Sequence, residues 1–155
     1  MFEKLAQLLR AHFPMDPAGQ PYSPLEIMRD YGFGRQALLH ASLFVPELVE
    51  VDGSVFITKF YPDVAEVYRE LIRKYGDNLQ ELEESVNHAE IHYLFHNRRT
   101  TDEETDLLAE FVAEAWRGRL AGQFPGRTFN VYIDEPEDNP TVRFYEVRPL
   151  KPSSP

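Results

Sequence analysis

The chain has 155 residues, 43% of them hydrophobic, no cysteine and a formal net charge of −10, a composition typical of a folded domain. The absence of cysteine excludes disulfide bonds, thiolate metal ligands and a cysteine nucleophile. The acidic balance argues against a nucleic-acid partner, because phosphate backbones attract Lys and Arg. The N-terminus lacks a signal-peptide pattern, and no apolar run reaches the ~18 residues of a membrane span. We therefore expect a cytoplasmic protein with no membrane partner.

Apolar periodicity and capping residues predict most of the helices. Ser23 and Thr101 each stand three residues before a Glu, in the form of a capping box that starts a helix. Residues 36–44 are apolar and fit either a helix or the approach to a strand. The predicted helices are 2–13, one starting at Ser23, 62–75 ended by Gly76, 78–96, and one starting at Thr101.

Two β-hairpins complete the predicted fold. Asp52-Gly53 separates two β-rich runs, which predicts a two-residue turn between strands at about 47–51 and 54–60. Alternating segments at 128–134 and 141–148 predict the second hairpin. Because the strands come in antiparallel pairs with no βαβ alternation, we expect an α+β domain over 1–150, with about four strands in one sheet, four to five helices and a disordered tail at 151–155.

The histidines give the first candidate site. His88, His92 and His96 recur every fourth residue of the predicted helix, with Glu84 one turn earlier. Side chains four residues apart meet on one helix face, so His88, His92 and Glu84 are candidate ligands for a divalent metal such as zinc. Such a site would serve a metal-dependent hydrolase, in which Glu84 orients the water or acts as the base. The same histidines also fit surface residues with structural hydrogen bonds, or a pH-responsive interface.

A row of carboxylates gives the second candidate site. Residues 77–116 hold 11 acidic against 2 basic residues, nearly the whole charge imbalance of the chain. Glu103, Asp106, Glu110 and Glu114 share one face of the last predicted helix. A basic protein surface is the partner that this face would attract, and no catalytic motif is complete. The sequence therefore favours an inhibitor-like protein-binding module rather than an enzyme.

Apolar and aromatic side chains suggest further contacts between chains. Ile91, Leu94 and Phe95 make the end of the predicted 78–96 helix apolar almost all round, which would suit a structural subunit that pairs with its own copy. Tyr132 and Tyr145 are expected to pair across the outer face of the second hairpin. A homo-oligomer is thus a third interpretation of the chain.

Overall fold

A computed structural model describes residues 7–8, 15, 34–58, 64–76, 78–95, 100–134 and 139–148. These ranges hold a mixture of helices and antiparallel strands, so the expected α+β class is confirmed. None of the helices described is both long enough and apolar enough to cross a membrane. In chain order the elements are α1 (Gly34–Phe44), β1 (Leu48–Val51), β2 (Ser54–Ile57), α2 (Val64–Tyr75), α3 (Leu79–Val86), β3 (His88–Glu90), α4 (Ile91–Phe95), α5 (Asp102–Gln123), β4 (Phe129–Asp134) and β5 (Thr141–Glu146).

Local sequence signals correctly placed several of these elements. Asp52 and Gly53 both have positive φ, 48° and 83°, as a two-residue turn of this kind requires, and β1 pairs with β2 on either side of them. Thr101 caps α5 through the predicted capping box. Residues 36–44 prove to be helical, within α1. The predicted helix starting at Ser23, the tail at 151–155 and most of the predicted helix 2–13 lie outside the described residues.

The predicted continuous helix over 78–96 is wrong. The structure ends α3 at Val86, places β3 immediately afterwards and then forms the short α4. β3 pairs antiparallel with β5, with Ala89 opposite Val142, so the sheet order is β3-β5-β4. β5 has β4 on one side, and the backbone groups on its other side need hydrogen-bond partners. The segment at His88–Glu90 supplies these partners as a strand, so it does not continue the helix.

The single sheet of about four strands is also corrected, to a two-stranded and a three-stranded sheet. Asn87, fully buried, lies between them. Its side-chain amide donates to the carbonyl oxygen of Val55 (2.8 Å), and its Oδ1 accepts from the backbone N–H of Ile57 (2.9 Å). Its own carbonyl oxygen accepts from the N–H of Phe144 (3.2 Å). One asparagine therefore occupies the place that a strand would take between β2 and β5.

Two hydrophobic clusters cover opposite faces of the first hairpin. In the larger cluster Trp116 of α5 packs edge-on against Phe144 of β5, with ring centroids 5.8 Å apart, and Val55 of β2 joins them. In the smaller cluster Phe56 stacks on Tyr68 of α2. Hence α5 spans one face of both sheets, and the opposite face of the three-stranded sheet carries polar and tyrosine side chains.

Candidate interaction surface

The carboxylate row lies on the outer side of α5. Glu103, Asp106, Glu110 and Glu114 are all exposed, as the sequence predicts. The opposite side of the same helix is buried, with Trp116 and its neighbours in the core. The Trp116 indole N–H donates to the carbonyl oxygen of Leu43 in α1 (2.7 Å). The helix that carries the acidic face is therefore fixed by the packing of its opposite face and by the hydrogen bond from Trp116 to α1.

Arg117 continues this row and connects it to the second sheet. Its spacing of three residues from Glu114 and seven from Glu110 places it on the same helical face. One guanidinium nitrogen lies 3.4 Å from the Glu114 carboxylate. The other donates to the carbonyl oxygen of Val131 in β4 (2.9 Å). The Glu114 end of the acidic row thus lies beside the edge of β4, a position that the sequence did not reveal.

The candidate metal ligands do not share one helix. His88 lies in β3, His92 at the second residue of α4, and Glu84 in α3. The Nε2 of His88 lies 3.8 Å from the Glu90 carboxylate, and the backbone N–H of His92 donates to the Asn139 side chain (3.2 Å). The prediction that His88, His92 and Glu84 share one helix face is therefore wrong.

Within the described ranges, no three His, Asp or Glu side chains come together in a way that could hold a metal ion. His96 lies outside the described residues. Metal binding by the chain stays a prediction.

The tyrosine pair on the outer sheet face is confirmed. The rings of Tyr132 and Tyr145 meet edge to face with centroids 6.2 Å apart. Asn130 donates from its side-chain amide to the Tyr145 hydroxyl (3.0 Å). Burial raises the pKa of Tyr132, and the negative charge of Glu84 raises it further. Both tyrosines are half-buried, so part of each ring is accessible.

The apolar surface predicted at the end of the 78–96 segment is only partly present. Ile91 is fully buried and belongs to the core, which removes it from any exposed surface. Leu94 and Tyr93 are 52% and 70% exposed. The side chain of Phe95 lies outside the description. Of the three predicted residues, Ile91 is thus excluded and Leu94 is exposed, next to the exposed Tyr93.

Sequence reasoning missed a buried ion pair. The side chain of Glu83 is 1% exposed and lies against Arg148, which contacts both carboxylate oxygens. The same carboxylate accepts from the backbone N–H of Glu146 (2.8 Å). The spacing of the residues could have revealed the buried carboxylate, because Glu83 lies one turn from both Leu79 and Val86, on the apolar side of the helix. This pair joins α3 to the end of β5 and is structural in character.

A second arginine extends this charge network to the first hairpin. Arg127 donates to the Glu146 carboxylate, and this hydrogen bond raises the pKa of Arg127. It also donates to the Gly53 carbonyl oxygen (2.7 Å), at the turn of the first hairpin. Its guanidinium lies 5.5 Å and 5.6 Å from the ring centroids of Phe124 and Phe129. Most of the basic groups near the second hairpin are thus used internally and do not form a basic patch.

No protein family, curated protein or solved structure matches this chain.

Proposed function

We propose that the protein is a protein-binding module that engages a basic partner surface through the carboxylate row of α5, in the manner of a small acidic inhibitor. The observation that carries the proposal is the exposure of Glu103, Asp106, Glu110 and Glu114 along one face of a capped helix. From the first to the last of them the helix rises about 16 Å, at ~1.5 Å per residue. The four carboxylates can therefore contact several basic side chains of one partner surface.

The row has an energetic feature that favours a basic partner. Like charges one turn apart on an isolated helix destabilise it by about 0.2–0.5 kcal/mol per pair. Within the described part of the chain, neither Asp106 nor Glu110 forms an ion pair that would offset this repulsion. A partner that brings Lys or Arg to the row removes the repulsion and gains the attraction.

The rigidity of α5 adds support. Glu104 donates its backbone N–H to the Thr101 hydroxyl, and its carboxylate accepts from the Thr101 N–H, so the first turn is closed in both directions. At the other end, the Gln123 side chain donates to the Leu48 carbonyl oxygen (3.3 Å). Carboxylates on a fixed helix lose less conformational entropy on binding than carboxylates on a loop.

The test uses charge reversal with a matched control. A partner captured by the wild-type chain is identified and purified, and its Kd is measured over a series of salt concentrations. Asp106→Lys and Glu110→Lys are expected to weaken binding about tenfold each and to flatten the salt dependence of Kd. Glu70→Lys makes the same charge change on an exposed position of α2 and should leave Kd within about twofold.

Two results would overturn the proposal. In one, the α5 variants bind as tightly as Glu70→Lys. In the other, the purified partner presents no basic surface and its affinity does not respond to salt.

A further inference from the structure

We infer that the segment of the partner that docks beside α5 is an extended basic strand that pairs with the outer edge of β4, the edge that faces away from β5. This inference rests on the proposed function, because it places the basic partner at the same face. It adds the backbone conformation of the partner and the atoms that it contacts.

The register of the second hairpin identifies the backbone groups of β4 that point away from β5. The N–H of Val147 donates to the carbonyl oxygen of Thr128 (2.8 Å), and the pairing continues with Asn130 opposite Tyr145 and Tyr132 opposite Arg143. In an antiparallel ladder, alternate residues exchange hydrogen bonds with the partner strand. Asn130 and Tyr132 therefore point their backbone groups towards β5.

The intervening residues, Phe129, Val131 and Ile133, point their backbone groups away from β5. Arg117 confirms this orientation, since it hydrogen-bonds the outward carbonyl oxygen of Val131. Among the residues described, this is the one hydrogen bond made to the outer edge of β4. The edge thus offers a row of donors and acceptors at two-residue spacing, which is what an added strand requires.

The acidic row selects a basic occupant for this edge. Residues 124–128 reverse the chain between α5 and β4, so moving back along the helix from Arg117 corresponds to moving forward along the strand from Val131. Glu110 lies about 10 Å back from Arg117 at ~1.5 Å per residue, and Asp134 lies about 10 Å forward from Val131 at ~3.3 Å per residue. Glu110 and Asp134 thus lie in the same direction from the Arg117–Val131 contact, at similar distances along their own elements.

An added strand would present its alternate side chains to two different surfaces. One set would lie on the α5 side, near Glu110 and Glu114, and these positions favour Lys or Arg. The other set would lie beside Asn130 and Tyr132 on the outer face of the sheet. A segment in which basic residues alternate with β-branched or aromatic residues fits both surfaces.

In the unbound protein, Arg117 occupies the outward carbonyl oxygen of Val131 and so protects the middle of the β4 edge. Its side chain is 49% exposed, and it reaches Val131 from a helix that is independently anchored. An incoming strand that donates its own N–H to the Val131 carbonyl oxygen replaces one hydrogen bond with another. Displaced from that oxygen, the guanidinium can stay with Glu114.

The experiment follows backbone amides by NMR in ¹⁵N-labelled protein titrated with a peptide of about ten residues in which Lys and Thr alternate. The N–H groups of Phe129, Val131 and Ile133 are expected to shift and to gain protection from hydrogen exchange, while those of Asn130 and Tyr132 keep their values. A matched peptide with alternate backbone nitrogens methylated has the same charge and should bind about tenfold more weakly. Arg117→Ala should bind the first peptide more tightly than wild type does.

The outcomes separate this inference from the proposed function. Shifts confined to α5, with equal affinity for both peptides, would support the acidic face and overturn the strand pairing. An alternating response in β4 that Glu110→Lys leaves unchanged would support the strand pairing and count against the acidic face. If neither peptide perturbs the spectrum at millimolar concentration, the inference of strand pairing is wrong.

Discussion

The side-chain amide of Asn87 donates a hydrogen bond of 2.8 Å to the carbonyl oxygen of Val55, 32 residues earlier in the chain. The same side chain accepts from Ile57, and the Asn87 backbone accepts from Phe144 of the other sheet. Both sheets are thereby fixed to one residue, and α5 can pack across the two as a single layer. The position of the first hairpin relative to the three-stranded sheet depends on this junction.

Asn87→Ala is expected to lower the free energy of unfolding by about 2–4 kcal/mol. The substitution leaves the buried Val55 carbonyl oxygen and the partly buried Ile57 N–H without their partner, and an unsatisfied buried group costs about 1–3 kcal/mol. Urea denaturation measures the change. Asn130→Ala serves as the control, because it removes one exposed hydrogen bond, to the Tyr145 hydroxyl, and should cost no more than about 1 kcal/mol. Equal stability of the two variants would show that Asn87 does not join the sheets.

Local chemistry explains which parts of the fold were predictable. The Asp52-Gly53 turn and the Thr101 cap depend on residues a few positions apart, so the sequence contains the whole signal. The break at Asn87 depends instead on groups in β2 and β5, which are distant in the chain. A helical pattern over 78–96 could not reveal that tertiary pairing would interrupt it.

Arg148→Ala is expected to destabilise the fold by about 3–5 kcal/mol, because it leaves the buried Glu83 carboxylate without its opposite charge. Adding Glu83→Gln to this variant removes the uncompensated charge and should recover part of the loss. Thermal and urea unfolding provide both values. Arg119→Ala, from an exposed position of α5, is the matched control and should change stability by less than about 0.5 kcal/mol. The interpretation fails if Arg148→Ala is as mild as Arg119→Ala.

Tyr132 should make the protein less stable in alkali. Its pKa is raised in the folded state, chiefly by burial and then by the charge of Glu84, so the folded state retains the phenol proton longer than the unfolded state does. Stability then falls as the pH rises above the unfolded value of about 10. Tyr132→Phe has no proton to lose and should show a shallower fall over that range, measured by urea unfolding from pH 8 upwards. A steeper or unchanged fall would contradict the assignment.

The sequence was enough to predict that the acidic row is exposed, but not that its Arg117 end lies beside the edge of β4. Glu103 to Glu114 follow a helical spacing opposite an apolar stripe, and that pattern alone places them outside. The contact between Arg117 and Val131 depends on which backbone groups of β4 face outward, and therefore on the register of the hairpin. Sequence periodicity gives the two faces of a strand but not the element that lies along its edge.

Arg117→Ala is expected to make the protein self-associate. Removal of the guanidinium opens the outer edge of β4, and exposed edge strands pair with other chains. The loss of the hydrogen bond to Val131 and of the exposed contact with Glu114 should lower the free energy of unfolding by only about 0.5–1.5 kcal/mol, so the chain stays folded. Light scattering and sedimentation over a range of concentrations measure the association.

Arg119→Ala removes the same charge two residues further along α5, where the side chain is exposed. It should therefore keep the association state of the wild-type protein and shows whether a change in net charge alone causes association. If both variants associate to the same extent, the effect is one of charge. If neither does so while Arg117→Ala is folded, Arg117 does not protect the β4 edge, because an uncovered edge with free donors and acceptors promotes pairing.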